Sequence, residues 1–180
     1  DSCVKMLTQY SDIVARYEEI KNNPDIPLRV VHHDTKISNV LFDESRNAVC
    51  IIDLDTIMPG YFISDVGDMI RTYLPSVGEE EQDLSRMELR DDVFTAIMQG
   101  YLGTFGDRLS AGEKSLILYS GFFLVYMQAL RFLTDYFNND VYYKPAYEKH
   151  NLVRSANQLW LLKLLDEKKM YFQEIINTMV

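Results

Sequence analysis

Two polar loops carry the residues whose types and spacing are suited to catalysis. Residues 32–39 read His-His-Asp-Thr-Lys-Ile-Ser-Asn, and Asp53 follows the apolar run at residues 49–52. These types suit phosphoryl transfer, which needs a carboxylate to orient the attacking hydroxyl and oxygen ligands to hold magnesium on the nucleotide phosphates. Asp34 is the candidate for the first role, and Asn39 and Asp53 are candidates for the second.

The elements that must position these loops are two short apolar segments around a polar turn. Residues 40–42 and 49–52 flank the turn at residues 43–47, a pattern that predicts an antiparallel β-hairpin. The pairing brings the loop before the first strand close to Asp53, after the second. Lys36, in the first loop, is then placed to offset charge on the transferring phosphoryl group.

The pattern His-x-Asp-x-Lys-x-x-Asn, followed by an apolar strand that ends in Asp, resembles the catalytic and metal-binding loops of kinases. Residues 32–39 and 52–55 together are similar to the aminoglycoside phosphotransferase and choline kinase group of small-molecule kinases. Within that group, the runs HHDTKISNVLF, IDLDTIMPG, DVGDMIRTYLP and RFLTDYF resemble the N-acetylhexosamine kinases over residues 30–165. The resemblance implies a protein-kinase-like fold, ATP as co-substrate, Mg²⁺ as cofactor and a sugar as acceptor.

Supporting roles also follow from the resemblance. It implies that His32 is structural, and it likens Asp65 to an aspartate that steadies the catalytic loop by hydrogen bonds. Asp65 suits equally well a helix cap, at the start of a helix predicted near Ser64. Asp55 is a less certain metal ligand, because its side chain can instead hold the loop or bind substrate. His32 and His33 do not suit joint metal binding, because neighbours in an extended chain point to opposite faces.

Arg131 has two interpretations, because it lies near the end of an otherwise apolar helix. A buried arginine is costly unless it is paired, and Asp135, four residues later, is a natural partner for a salt bridge. In the alternative, Arg131 forks onto sugar oxygens with Asp135, Tyr142 or Tyr143 beside it. The resemblance to the hexosamine kinases favours this substrate-binding role.

Composition limits the classes of partner. The formal charge of −9 over 180 residues argues against nucleic-acid binding, which relies on Lys and Arg to neutralise phosphates. Cys3 and Cys50 lie far apart, and Cys50 falls in a strand predicted to be buried, so we expect no disulfide and a reducing, cytoplasmic location. The apolar stretch at residues 116–130 is shorter than the roughly 20 residues of a membrane span, so we expect a core helix and no membrane partner.

Periodicity predicts a mainly helical α+β fold with a single domain over residues 1–180. The predicted helices cover residues 2–21, 64–74, 89–105 (broken at Gly100, Gly103 and Gly106), 111–137 and 147–178. Ser110 and Glu113 match a capping box that opens the fourth helix. Residues 56–60 are predicted to form a turn, and the acidic residues 78–83 a solvated loop.

The chain is expected to be the carboxy-terminal lobe of a larger kinase. No glycine-rich loop and no strand-borne lysine precedes His32, and the chain starts at Asp1 without a methionine. A nucleotide-binding amino-terminal lobe is therefore an expected partner, besides the sugar. Two rival functions remain open: a kinase of the same fold acting on choline, ethanolamine or an aminoglycoside, and a non-catalytic kinase-like binding module.

Overall fold

A computed structural model describes residues 2–180, and in that part of the chain eight α-helices and four short strands form a mainly helical α+β fold. The helices are α1 (Ser2–Gln9), α2 (Asp12–Lys21), α3 (Ile63–Tyr73), α4 (Asp91–Phe105), α5 (Ala111–Lys114), α6 (Ile117–Phe137), α7 (His150–Glu167) and α8 (Lys169–Asn177). The strands are β1 (Arg29–Val31), β2 (Val40–Phe42), β3 (Ala48–Ile51) and β4 (Met58–Gly60).

The strands form two nested antiparallel pairs. The predicted hairpin is confirmed, since β2 pairs with β3 and Val40 lies opposite Ile51. Outside it, β1 pairs with β4, so that Val31 lies opposite Met58. This nesting sets the loop at residues 32–39 beside the loop at residues 52–57, because each loop joins one strand pair to the other.

Strand β4 corrects the prediction of a turn at residues 56–60. Met58–Gly60 is extended and bonded to β1, although proline and glycine are uncommon inside strands. They are tolerated here because β4 has one partner strand within the described residues. Gly60 is also required by space: a Cβ there would lie 2.6 Å from Val31 Cγ2 and 2.7 Å from His33 Cε1.

Helix α6 lies at the centre of the helical layer and packs against α3 and α7. Its length and apolar composition would also suit a membrane span, but residues along it, among them Ile117, Val125 and Phe132, are fully buried in the helical core, as predicted for a core helix. The capping box of Ser110 and Glu113 is present, but it opens the short α5, which ends before α6 begins.

Other predicted helices differ in their boundaries. Helix α4 runs through Gly100 and Gly103 without a break, because neighbouring residues still satisfy the helical hydrogen bonds. The first and last predicted helices are each divided in two, near Tyr10 and at Lys168. Helix α3 starts at Ile63, and no side chain caps it, so the capping role considered for Asp65 is wrong.

Two glycines let α3 and α6 approach closely. A Cβ on Gly67 would lie 2.2 Å from the backbone oxygen of Ser120, and a Cβ on Gly121 would lie 2.7 Å from Ile70 Cγ2. The first obstacle is backbone, which cannot move aside by a rotamer change. Since α3 carries Asp65 and α6 carries Arg131, this contact sets the distance between the two sides of the candidate site.

The β2–β3 hairpin is exposed on both faces, which corrects the prediction that Cys50 is buried. Cys50 and every residue of β3 are exposed, as are Leu41 and Phe42 of β2. No third strand or helix covers this hairpin within residues 2–180. Apolar side chains on a two-stranded sheet stay in solvent unless another layer packs on them.

The glycine contact can be tested with a matched pair of substitutions. Gly67→Ala should lower the free energy of unfolding by about 1–3 kcal/mol, because the methyl group overpacks the crossing of α3 and α6. Gly103→Ala should raise it by about 0.5–1 kcal/mol, since a Cβ there meets open space and helix propensity improves. Thermal or urea unfolding of both variants measures the difference, and equal effects would contradict the close approach.

Candidate active site

Asp65, at the start of α3, holds the loop at residues 32–39 by hydrogen bonds to its backbone. Both carboxylate oxygens of Asp65 accept from the backbone N–H of His32 at 3.0 Å, and Oδ1 also accepts from the backbone N–H of His33 at 2.8 Å. Hydrogen bonds to a carboxylate are stronger than neutral ones. These contacts agree with the role that the family resemblance implied for Asp65, which is to steady the catalytic loop by hydrogen bonds.

Further bonds fix the loop on its other sides. Thr56 donates to the backbone oxygen of His32 at 2.6 Å, which ties the two loops together. His32 Nε2 lies 3.2 Å from the backbone oxygen of Ile52. The Tyr73 hydroxyl donates to the backbone oxygen of Thr35.

His33 has a φ of 69°, in the left-handed region that non-glycine residues seldom adopt. Such conformations persist where the surroundings over-determine them, as these bonds do here.

Asp34 is half-buried and accepts hydrogen bonds from two side chains of its own loop. Lys36 Nζ lies 2.6 Å and Asn39 Nδ2 lies 2.9 Å from its Oδ2. Burial acts to raise the pKa of Asp34, but the hydrogen bonds from Lys36 and Asn39 outweigh it and hold the pKa below its ordinary value. The carboxylate is thus ionised at neutral pH, and it can accept a hydrogen bond from an incoming hydroxyl.

Asn39 and Asp53 are the residues whose side-chain oxygens could hold a magnesium ion shared with a nucleotide. Asn39 is buried and donates through its amide nitrogen to Asp34, and its Oδ1 accepts no hydrogen bond within residues 2–180. The backbone N–H of Ile52 donates to the backbone oxygen of Asn39 at 2.9 Å, so Asp53 follows directly beside it. Magnesium is commonly held by one or two protein ligands together with phosphates and water. Asp55 is exposed, and within residues 2–180 its side chain has no hydrogen bond or ion pair.

A pocket of about 630 Å³ opens beside Asp34 and extends between α3, α6 and α7. It contains both predicted catalytic residues and three of the four predicted substrate-binding residues. Its lining includes Asp34, Lys36, Asp68, Arg71, Glu79, Gln128, Arg131, Tyr142, Tyr143, Arg154 and Gln158. We refer to it as the acceptor pocket.

A chain of ion pairs on one wall of the acceptor pocket was not predicted from the sequence. Arg71 bonds to the buried Asp68 at 2.9 Å and to Glu79 at 3.0 Å, and Glu79 also pairs with Arg154. Glu79 thus lies half-buried between two arginines, which corrects the predicted solvated loop at this position, although residues 78, 80, 82 and 83 are exposed as predicted. The spacing of Asp68 and Arg71, three residues apart on one helix face, was the available signal.

Arg131 and Asp135 do not pair, which contradicts the salt-bridge interpretation. Arg131 is exposed and lies over the rings of Tyr142 and Tyr143, 5.7 and 5.4 Å from their centroids. Asp135 is the buried residue of the two, and it accepts from the backbone N–H groups of Tyr142 at 2.8 Å and Tyr143 at 2.7 Å. Asn151 donates to the same carboxylate at 3.1 Å. Asp135 thus positions the backbone of the two tyrosines, and it lines a smaller pocket together with them and Arg131. Its contact with substrate stays a prediction.

Comparison with protein families gives a match over the part of the chain that holds both loops. Residues 7–105 match the APH family, described as a phosphotransferase enzyme family. The match covers more than half of the 180 residues. The chain belongs to this family.

Membership in the APH family implies a kinase-like fold and, in general, the use of ATP and Mg²⁺. The matched residues include Asp34, Asn39, Asp53 and Asp65. Of the ion-pair chain they include Asp68, Arg71 and Glu79. Arg131, both tyrosines and α7 lie beyond residue 105, so the far wall of the acceptor pocket lies outside the matched region.

The electrostatic balance at Asp34 predicts the effect of removing its first partner. Lys36→Met should raise the pKa of Asp34, because burial remains while the lysine's hydrogen bond and charge are lost. In the wild type the lowered pKa stabilises the fold above the unfolded-state pKa, and this contribution disappears as the pH falls through the folded-state value.

A carbon-13 NMR titration of the Asp34 carboxyl measures the shift directly. Lys144→Met, at an exposed position outside the pocket lining, is the control and should leave the Asp34 pKa unchanged. An unshifted pKa in Lys36→Met would show that Lys36 does not hold the carboxylate in solution.

Proposed function

We propose that this APH-family chain transfers the γ-phosphoryl group of ATP to a hydroxyl of a small sugar, and that the sugar is an N-acetylhexosamine. The observation that carries the proposal is that Asp34 and the group of Arg131, Tyr142 and Tyr143 line one pocket. A hydroxyl bound against the arginine and tyrosines can thereby reach the carboxylate.

The residues of the two loops have different roles in the proposed phosphoryl transfer. Asp34 accepts the hydrogen bond of the acceptor hydroxyl and orients its oxygen, which suits a loose transition state that needs little proton removal at the start. Lys36 offsets charge that develops on the transferring group. Asn39 Oδ1 and Asp53 would hold Mg²⁺, which would neutralise phosphate charge when bound.

The charges of the acceptor pocket favour a neutral acceptor over a cationic one. Its carboxylates are all paired: Asp34 with Lys36, Asp68 with Arg71, and Glu79 with two arginines. Arg131 is the lining charge that has no ion pair within residues 2–180. Choline or an aminoglycoside would need free carboxylates or open aromatic faces, whereas Tyr142 and Tyr143 already face the Arg131 guanidinium.

The nucleotide and the lobe that carries it would lie over the exposed hairpin. Leu41 and Phe42 of β2 and Val49 and Ile51 of β3 are exposed apolar side chains next to the loop of Asp53. An exposed apolar surface of this kind is typical of an interaction site. We propose that it receives the nucleotide base and a nucleotide-binding lobe.

The acceptor class is tested by a screen of the complete protein. Consumption of ATP is followed with N-acetylglucosamine, glucose, choline, ethanolamine and an aminoglycoside in parallel. N-acetylglucosamine should give the highest kcat/KM. Faster turnover with choline or the aminoglycoside would favour the first rival, and no turnover with any acceptor would favour the non-catalytic module.

Asp34→Asn should lower kcat by about 10²–10⁴-fold, the loss typical of a positioned acid–base group, while the protein stays folded. The amide keeps the size of the side chain but cannot take up a proton. Steady-state kinetics and a melting curve on the complete protein check both parts. Asp107→Asn, at an exposed position outside the pocket lining, controls for the substitution, and near-normal turnover of Asp34→Asn would contradict the assignment.

Arg131→Lys should raise the KM for the sugar about tenfold and leave the KM for ATP nearly unchanged. An arginine forms two directed hydrogen bonds to neighbouring oxygens, and lysine does not reproduce that geometry. Since Arg131 is exposed and has no ion pair within residues 2–180, the melting temperature should change little. Arg16→Lys on α2, also exposed, is the matched control. A lower melting temperature without a change in either KM would instead indicate a structural role.

A further inference from the structure

A second cleft, of about 670 Å³, lies between α3 and α4 and reaches β1. It shares no lining residue with the acceptor pocket. Its walls are mainly apolar and include Val31, Phe62, Met69, Val93 and Ile97. Three of these five side chains are buried, so the floor of the cleft belongs to the core. A mainly apolar cleft of roughly 300–1,000 Å³ is typical of a small-molecule site. We refer to it as the α3–α4 cleft.

Two hydrogen-bond donors that line the cleft have capacity left for a ligand. Tyr101 of α4 is half-buried, and its hydroxyl has no hydrogen-bond partner within residues 2–180, yet it is not one of the fully enclosed unpaired atoms. Arg29 of β1 uses Nε and Nη2 to bond Glu113 and the backbone oxygen of Arg108. Its Nη1 has no bond in the same part of the chain and is not fully enclosed either.

The charges around the cleft favour a neutral ligand that carries an oxygen acceptor. Glu113 neutralises the Arg29 guanidinium at 2.6 Å, and the Asp65 carboxylate accepts three backbone N–H bonds. Burial, and then the nearby carboxylates of Asp65 and Glu113, raise the pKa of Tyr101 to about 12, so its hydroxyl is a donor at neutral pH. An ammonium group would offer the two donors no acceptor, and a carboxylate would be repelled by the two carboxylates already present. A carbonyl or ether oxygen avoids both costs.

Two side chains that line the cleft also hold the loop at residues 32–39. Asp65 accepts the backbone N–H groups of His32 and His33, and Tyr73 donates to the backbone oxygen of Thr35. A ligand that contacts Asp65 and Tyr73 from the cleft binds best while they keep this arrangement. By linkage, its binding free energy then opposes any opening of the loop.

We propose that the α3–α4 cleft binds a small, neutral and mainly apolar molecule with a carbonyl or ether oxygen, and that its binding stabilises the loop at residues 32–39. The oxygen accepts from the Tyr101 hydroxyl and from Arg29 Nη1, and the apolar part lies against α3 and α4. This is a second ligand site outside the proposed phosphoryl transfer, and it does not depend on which acceptor is phosphorylated.

The glycines of α4 provide a matched pair of variants for the test. Gly100 lines the cleft and Gly103 does not, and a Cβ at either position meets open space. The probe is prodan, a neutral naphthyl ketone whose fluorescence shifts in apolar surroundings, titrated into the complete protein. Gly100→Leu should weaken prodan binding at least about tenfold, because the leucine takes the volume of the apolar part. Gly103→Leu should keep the wild-type Kd.

The polar contact and the class of ligand are tested with the same probe. Tyr101→Phe should weaken prodan binding by about two- to tenfold, the loss expected for one hydrogen bond. Displacement of prodan by acetylnaphthalene, naphthoate and naphthylmethylamine compares a neutral, an anionic and a cationic ligand of similar size. The neutral ketone should bind most tightly.

Hydrogen exchange followed by mass spectrometry tests the connection to the loop. At a prodan concentration ten times its Kd, amide exchange within residues 32–39 should slow by up to about tenfold in the wild type and in Gly103→Leu, and should not slow in Gly100→Leu. Melting curves confirm that the variants are folded. If Gly100→Leu does not fold, Ala96→Leu, which also lines the cleft, replaces it.

Four outcomes would overturn the proposal. The first is no binding of prodan by the wild type, as expected if another part of the complete protein or a second copy covers the cleft. The second is equal binding by both leucine variants, which would place the probe elsewhere. The others are tighter binding of the anionic or cationic ligand than of the ketone, and unchanged exchange of the loop at saturation. None of these measurements requires phosphoryl transfer, so they stand apart from a failure of the proposed function.

Discussion

The Asp65 carboxylate, which accepts the backbone N–H groups of His32 and His33, is the contact on which the rest of the site depends. It joins the first turn of α3 to the loop that carries Asp34. Loops at a surface are usually the mobile parts of a domain, and this one is tied to a helix that is itself packed deep in the core. His33 has a left-handed backbone, and these hydrogen bonds hold it in that conformation. The helical layer therefore positions the backbone of this loop, while Lys36 and Asn39 of the loop itself hold the Asp34 carboxylate.

A second constraint comes from the ion pairs on one wall of the acceptor pocket, where opposite charges of the protein balance one another. The chain Asp68–Arg71–Glu79–Arg154 joins α3, the segment after it and α7 through largely buried ion pairs. Removing one member of such a network leaves an uncompensated buried charge, which is much more costly than losing an exposed pair. The network has a functional consequence as well. Because these charges neutralise one another, the pocket offers directional hydrogen bonds and aromatic faces, and these suit an uncharged polar acceptor.

The loop sequence at residues 32–39 was informative because its side chains act locally. Asp34, Lys36 and Asn39 contact one another within six residues of chain, so their spacing alone indicated their chemistry. The β2–β3 hairpin was also predictable, since two apolar runs around a polar turn have few other ways to pair. Strand β4 was missed because Met58–Gly60 has the composition of a turn, and it becomes a strand only through pairing with β1, which lies far away in the sequence. Cys50 was predicted to be buried from its apolar neighbours, but burial depends on whether a second layer is present.

The sequence by itself determined the family of the chain, the candidate catalytic and metal-binding residues, and the mainly helical class, because these depend on local spacing and periodicity. The tertiary structure alone decided the composition of the acceptor pocket. Glu79 looked like a solvated charge until α3 and α7 placed an arginine on each side of it. Asp135 looked like a partner for Arg131, yet its carboxylate turns inward to two backbone N–H groups of a later loop. Tyr101 carried no signal at all, since a tyrosine in a helix is ordinary until packing places it in the α3–α4 cleft. Such contacts join residues far apart in the chain, and only the packing of the helices brings them within hydrogen-bonding distance.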